Sequence, residues 1–131
     1  MQVFKVMGAL ALVAGLSAPA LAVDTSVVGV WQPDNKESDY QATLCGDDQQ
    51  RLCLQLVALR AGADKPKNRP YLGKNIVDGA KPKGDKSWQG QLNLFGQTAD
   101  ATFTLKGPDV LEMSGCAYLV VCKTIKLNRI K

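Results

Sequence analysis

Four cysteines set as two close pairs, Cys45 and Cys53 in CGDDQQRLC and Cys116 and Cys122 in CAYLVVC, constrain this chain more than any other feature. Four cysteines allow three connectivities, but only local pairing gives two hairpins of consistent register. With Cys116 facing Cys122, Ser114 meets Thr124, Met113 meets Ile125, Glu112 meets Lys126 and Leu111 meets Leu127. Apolar then faces apolar, and acid faces base. With Cys45 facing Cys53, Leu44 meets Leu54, Thr43 meets Gln55 and Ala42 meets Leu56. The expected bridges are therefore Cys45–Cys53 and Cys116–Cys122, on the polar outward face, stapling strand ends outside the core. A zinc site is the competing use of four cysteines. Its ligands are normally spaced C-x₂₋₄-C, whereas the spacings here are C-x₇-C and C-x₅-C, and no C-x-x-C redox motif is present.

The N-terminus fits an oxidising destination. Residues 1–22, MQVFKVMGALALVAGLSAPALA, carry one charge, Lys5, then an apolar run over residues 6–16 and the small-x-small triplet Ala20-Leu21-Ala22. This predicts a signal peptide cleaved after Ala22, with the product in the periplasm or secreted. The run is shorter than the ~20 residues of a membrane-spanning helix, and no such segment is expected in the mature chain. Residues 23–131 make one domain with a single modest core. Their fifteen basic and twelve acidic residues give a mild positive bias, too small to imply nucleic acid.

From Val23 onward, short alternating runs are separated by Gly, Pro, Asp and Asn, and no stretch keeps a helical apolar period for three turns. The fold class is all-β, with strands expected at residues 27–31, 40–45, 52–59, 71–77, 87–94, 98–106, 110–116 and 119–129. Eight strands joined in order predict a small antiparallel up-and-down barrel with two hairpin disulfides. In TADATFTLK, Ala99, Ala101, Phe103 and Leu105 share one face and polar residues the other. The stretches at 60–70 and 78–86 read as exposed loops; with the segment between them they hold Lys65, Lys67, Arg69, Lys74, Lys81, Lys83 and Lys86. Those cations form either a solvated edge that resists aggregation or a basic rim for an anionic partner.

The sequence holds no histidine, which removes Ser-His and Cys-His nucleophile pairs and most catalytic metal sites. Asp34, Asp47, Asp48, Asp64, Asp85 and Asp109 sit in turn-like contexts, where the carboxylate serves the backbone. No enzymatic activity, metal or cofactor is expected, and the basic residues lack the interleaved aromatics of a nucleic-acid platform.

Two resemblances follow from particular residues. Gly29-x-Trp31 near the mature start and Arg129 on the last strand are similar to the lipocalin and calycin pattern, in which the arginine closes one barrel end by stacking on the indole. More closely, the order G-x-W, Cys45 followed by Leu52-Cys53, NRPYLGKNIVDG, SWQGQLNL, Gly115-Cys116 and Asn128-Arg129 resembles the bacterial exported family catalogued as domain of unknown function DUF2147. The resemblance implies a lipocalin-like barrel and no established activity.

An eight-stranded barrel either fills with its own side chains or holds one small ligand. The small inward residues Ala42, Gly90, Ala99, Ala101 and Gly115 serve either outcome. Two functions stay open. One is a lipocalin-like carrier for a small apolar or amphipathic anion, lined by Ala99, Ala101, Phe103, Met113 and Gly90, with Lys123 or Lys74 as head-group contacts. The other is a protein-protein interaction module, an inhibitor or envelope-assembly partner, that has a filled core and uses the cystine-stapled surface around Tyr118 and the basic loops.

Overall fold

The computed structural model describes residues 22–117 and 121–131. The expected signal peptide and Tyr118 lie outside the described residues. A 3₁₀ turn, Thr25–Val27, leads into eight strands: β1 Gly29–Pro33, β2 Ser38–Cys45, β3 Arg51–Leu59, β4 Asn75–Pro82, β5 Ser87–Leu94, β6 Gln97–Gly107, β7 Val110–Ala117 and β8 Val121–Arg129. Each pairs antiparallel with the next, and β8 pairs with β1, closing the barrel in chain order. The loops at 46–50, 83–86 and 108–109 share the lower end with the N-terminal turn. The connections at 34–37, 60–74 and 95–96 share the upper end.

The β7–β8 hairpin has the register read from its alternation, including Cys116 opposite Cys122 and Met113 opposite Ile125. Both disulfides, Cys45–Cys53 and Cys116–Cys122, are present. The first hairpin corrects the expected register by two residues: Cys45 lies opposite Arg51, Leu44 opposite Leu52 and Ala42 opposite Leu54. A tight turn causes the shift. Gly46 and Gln49 adopt positive φ, and the Gln49 N–H donates to the Gly46 carbonyl at 3.2 Å, so the ladder runs one pair further than the cysteines alone suggest. The bridge therefore crosses diagonally, and Cys53 is buried rather than outward in solvent.

The fourth strand is also displaced from expectation. Residues 69–71 form a 3₁₀ turn with Pro70 in its first positions, and β4 begins at Asn75 and absorbs half of the stretch read as a loop. Gly79, at φ +89°, is the extra residue of a bulge between the pairs Leu52/Ala80 and Cys53/Asp78. A bulge resets the inward face, so Val77 and Ala80 both point inward three residues apart and the two-residue alternation fails there. Because β4 now spans the wall, Lys65, Lys67, Arg69 and Lys74 lie at the upper end and Lys81, Lys83 and Lys86 at the lower. They do not form one rim.

Candidate functional site

The barrel interior was the expected site, and its lower half is built of aromatic rings. Trp31, Trp88 and Phe103 are fully buried together with Leu52, Leu54, Leu56, Val77, Leu111 and Leu127. Each indole N–H finds a backbone carbonyl 2.9 Å away, Trp31 on Val27 and Trp88 on Gln50. Burial thus leaves no indole donor unpaired. Trp88 shares the inward parity of Gly90 and Leu92, and parity alone is the signal that places it in the lining.

Inward residues stack in rows across β5 to β8. Trp88, Phe103, Met113 and Ile125 are successive partners in one row, and Gly90, Ala101, Gly115 and Lys123 form the next row above. The expected lining residues Ala101, Phe103 and Met113 are thereby brought together, and all three are buried. Ala99 lies one row higher opposite Leu92, half-buried. Gly90 opens no space: a Cβ built there would come within 2.9 Å of the Ala80 Cα. Its small size permits β4 and β5 to approach. Lys123 and Lys74 are both exposed, on β8 and just before β4, four strands apart around the barrel, so they cannot share a head group.

The lower end is clamped. The Arg129 guanidinium sits 4.4 Å above the Trp31 ring and donates to the carbonyls of Pro108 at 2.9 Å, Val28 at 3.0 Å and Ser26. Gly29 makes room for it, since a Cβ there would meet the Arg129 Nη1 and lie 2.6 Å from the Lys131 carbonyl oxygen. The N-terminal turn is tied down by the Asp24 carboxylate, which accepts from the Ser26 N–H at 2.9 Å and from Lys86 Nζ at 2.8 Å. The Lys86 hydrogen bond holds the Asp24 carboxyl well below the usual carboxylate range. Val23 N–H completes the plug on the Gln50 side-chain oxygen at 2.9 Å.

The upper end is more open. Leu44, Leu59, Tyr71, Leu92, Leu94 and Phe95 are only partly buried against the core, and Tyr71 meets Phe95 edge-on with centroids 5.8 Å apart. Ser38 donates its hydroxyl to Tyr40 at 2.8 Å, both residues being buried, and burial pushes the Tyr40 phenol up. Outside this end, buried Asp39 accepts from Arg60 at 2.5 Å and from Gln32 at 2.8 Å. Arg60 holds the Asp39 carboxyl below the usual range. A lowered carboxylate contributes stability that is complete above its unfolded value, about 3.9, and is lost as pH falls through the folded one. In urea titrations the stability gap between the wild type and Asp39→Asn should close as pH drops from 7 towards 3. Arg60 is half-exposed, so the gap should be about 1 kcal/mol.

Two hollows lie on the outside wall. One, of about 480 Å³, is lined by Cys45, Asp47, Asp48, Arg51, Cys53 and Asp78, and the other, of about 310 Å³, by Asp24, Ser26, Lys86, Leu105 and Pro108. Among the described residues no three His, Cys, Asp or Glu side chains gather as a metal site, and no helix is long and apolar enough to cross a membrane.

The family described as "Uncharacterized protein conserved in bacteria (DUF2147)" matches residues 29–129, from the glycine of G-x-W to the stacking arginine. No curated protein and no solved structure matches the chain.

Proposed function

We propose that this chain, which belongs to the DUF2147 family of bacterial proteins, is an exported, non-enzymatic protein-protein interaction module of the cell envelope whose core is filled by its own side chains. The observation that carries the reading is the packing of two indoles and Phe103 into the lower barrel, each fully buried. The signal-like N-terminus and the paired cysteines support export. A rigid closed barrel with two staples presents fixed surface features at little entropic cost on binding.

The carrier reading draws on the partly buried apolar residues at the upper mouth, and one variant separates the two. Ala101 is 2% exposed beside Gly90 and Gly115. In a filled core, Ala101→Trp overpacks and costs about 1–3 kcal/mol or more. A fluorescent fatty-acid analogue should then show no saturable binding to the wild type. Saturable binding that Ala101→Trp abolishes without lowering Tm would overturn the module in favour of the carrier. Native mass spectrometry of the protein from its own cells should show a complex heavier by a polypeptide; a retained lipid mass in place of one favours the carrier.

A further inference from the structure

We propose that residues 122–126 of β8 form a docking edge for an extended acidic strand of a partner protein; the inference rests on the interaction-module reading and supplies its partner class. β1 pairs with β8 only at Trp31/Arg129, Gln32/Asn128 and Pro33/Leu127. Beyond Pro33 the chain turns away, with the Lys36 N–H on the Pro33 carbonyl at 2.9 Å. β8 nevertheless continues upward to Val121 against β7. Over that length it has, among the described residues, a neighbour on one side only.

The direction of its free backbone groups follows from the ladder below. The Ile130 N–H donates to the Val30 carbonyl at 2.9 Å, so the even-numbered residues of β8 turn their backbone groups towards β1 and the odd-numbered ones towards β7. Above Pro33, this leaves the N–H and C=O groups of Cys122, Thr124 and Lys126 pointing along the open edge. The 4.0 Å Cα separation of Cys116 and Cys122 agrees, because close spacing marks a pair that does not exchange hydrogen bonds.

Idle edges are usually blunted by brevity, proline, a bulge or charged side chains, lysine above all; this edge carries the lysines Lys123 and Lys126, which repel a basic strand and leave the edge open to an acidic strand. This one has an unbroken register with β7 from Val110/Asn128 to Ala117/Val121, and the Cys116–Cys122 bridge holds its upper part. It is pre-formed for strand addition, in which main-chain hydrogen bonds supply affinity and alternate side chains supply selectivity. Ile125 points inward yet is 37% exposed, so an incoming strand can cover it with an apolar residue. Lys123 on the inner face and Lys126 on the outer are exposed and β8 carries no acid, while the exposed Asp34 carboxylate, 3.9 Å from Lys126 Nζ, leaves that lysine to be shared with an incoming acid and Lys123 as the stronger attractor. An acid next to the apolar residue meets Lys126 on the outer face, and an acid two places from it meets Lys123 on the inner face. Pairing with a second copy would instead bring four lysines together, which disfavours self-association along this edge.

The test uses the disulfide-bonded protein and two fluorescein-labelled peptides, one repeating Glu-Val-Thr, which sets acids opposite Lys126 and Lys123 with valine opposite Ile125, and one repeating Lys-Val-Thr, followed by fluorescence anisotropy. The acidic peptide should bind at least about tenfold tighter than the basic one and weaken as NaCl is raised, since exposed charges are screened within ~8–10 Å. Thr124→Pro removes a donor that faces the open edge and leaves the β7 ladder intact, a strand setting that tolerates proline. It should weaken the acidic peptide about tenfold or more with Tm little changed. An acidic peptide methylated on alternate backbone nitrogens gives the same readout without touching the protein, should the variant unfold. Equal binding of the two peptides, or binding indifferent to Thr124→Pro and to N-methylation, overturns the docking edge. A photo-crosslinking residue placed in cells at Thr124 or at exposed Val57 separates the two failures. Protein adducts at Val57 alone reject the edge and keep the module, and adducts at neither position reject both.

Discussion

Trp31→Ala is expected to cost about 3–5 kcal/mol, Arg129→Ala about 1–2 kcal/mol for the lost cation over the ring, and the double variant less than their sum. The indole is completely buried and the guanidinium lies 4.4 Å above it, so removing either partner already ends the shared contact. Residues in contact do not contribute independently. Arg129 also holds together three separate segments through the carbonyls of Ser26, Val28 and Pro108. Its loss should free the N-terminal turn first, with amide exchange rising at residues 24–28 before the barrel unfolds. Urea denaturation with both disulfides intact measures all three variants. Strictly additive losses would mean that the stack contributes no coupling and that burial of the ring alone seals this end.

The architecture was legible wherever alternation ran unbroken. β7 and β8 keep a two-residue period with complementary partners at every step, and the cysteine pair marks a non-hydrogen-bonded position, so a single register satisfies them all. β2 and β3 show the limit of that logic: a shift of two residues leaves every side chain on the same face, and only the turn at Gly46–Gln49, with its two positive φ angles, decides between the alternatives. β4 was expected too early, at 71–77, because Gly79 bulges and a bulge is invisible to a period count. Trp88 was within reach, having the parity of Gly90 and Leu92. The open side of β8 was not, because it depends on how soon β1 ends at Pro33, and a strand's last residue is set by its turn rather than by its own composition. For the same reason, Gly90 suggested space where β4 in fact approaches: a small side chain marks close approach as readily as empty space, and only the facing Ala80 distinguishes them.

If the core is filled by indoles, removing one should create the cavity that the barrel lacks. Trp88→Ala is expected to cost about 3–5 kcal/mol, a large share of the roughly 5–15 kcal/mol that stabilises an ordinary domain. The two disulfides, at roughly 2–3 kcal/mol each in the chain-entropy model, should keep the variant folded. The vacated space lies in the row of Phe103 and Met113, and an apolar cavity stays dry and accepts a small apolar molecule. Added indole should therefore raise the Tm of Trp88→Ala, since a ligand that binds only the folded state stabilises it by mass action. It should leave the wild type unmoved. An equal rise in both proteins would mean that the wild-type barrel already holds accessible apolar space, and the carrier would then displace the interaction module.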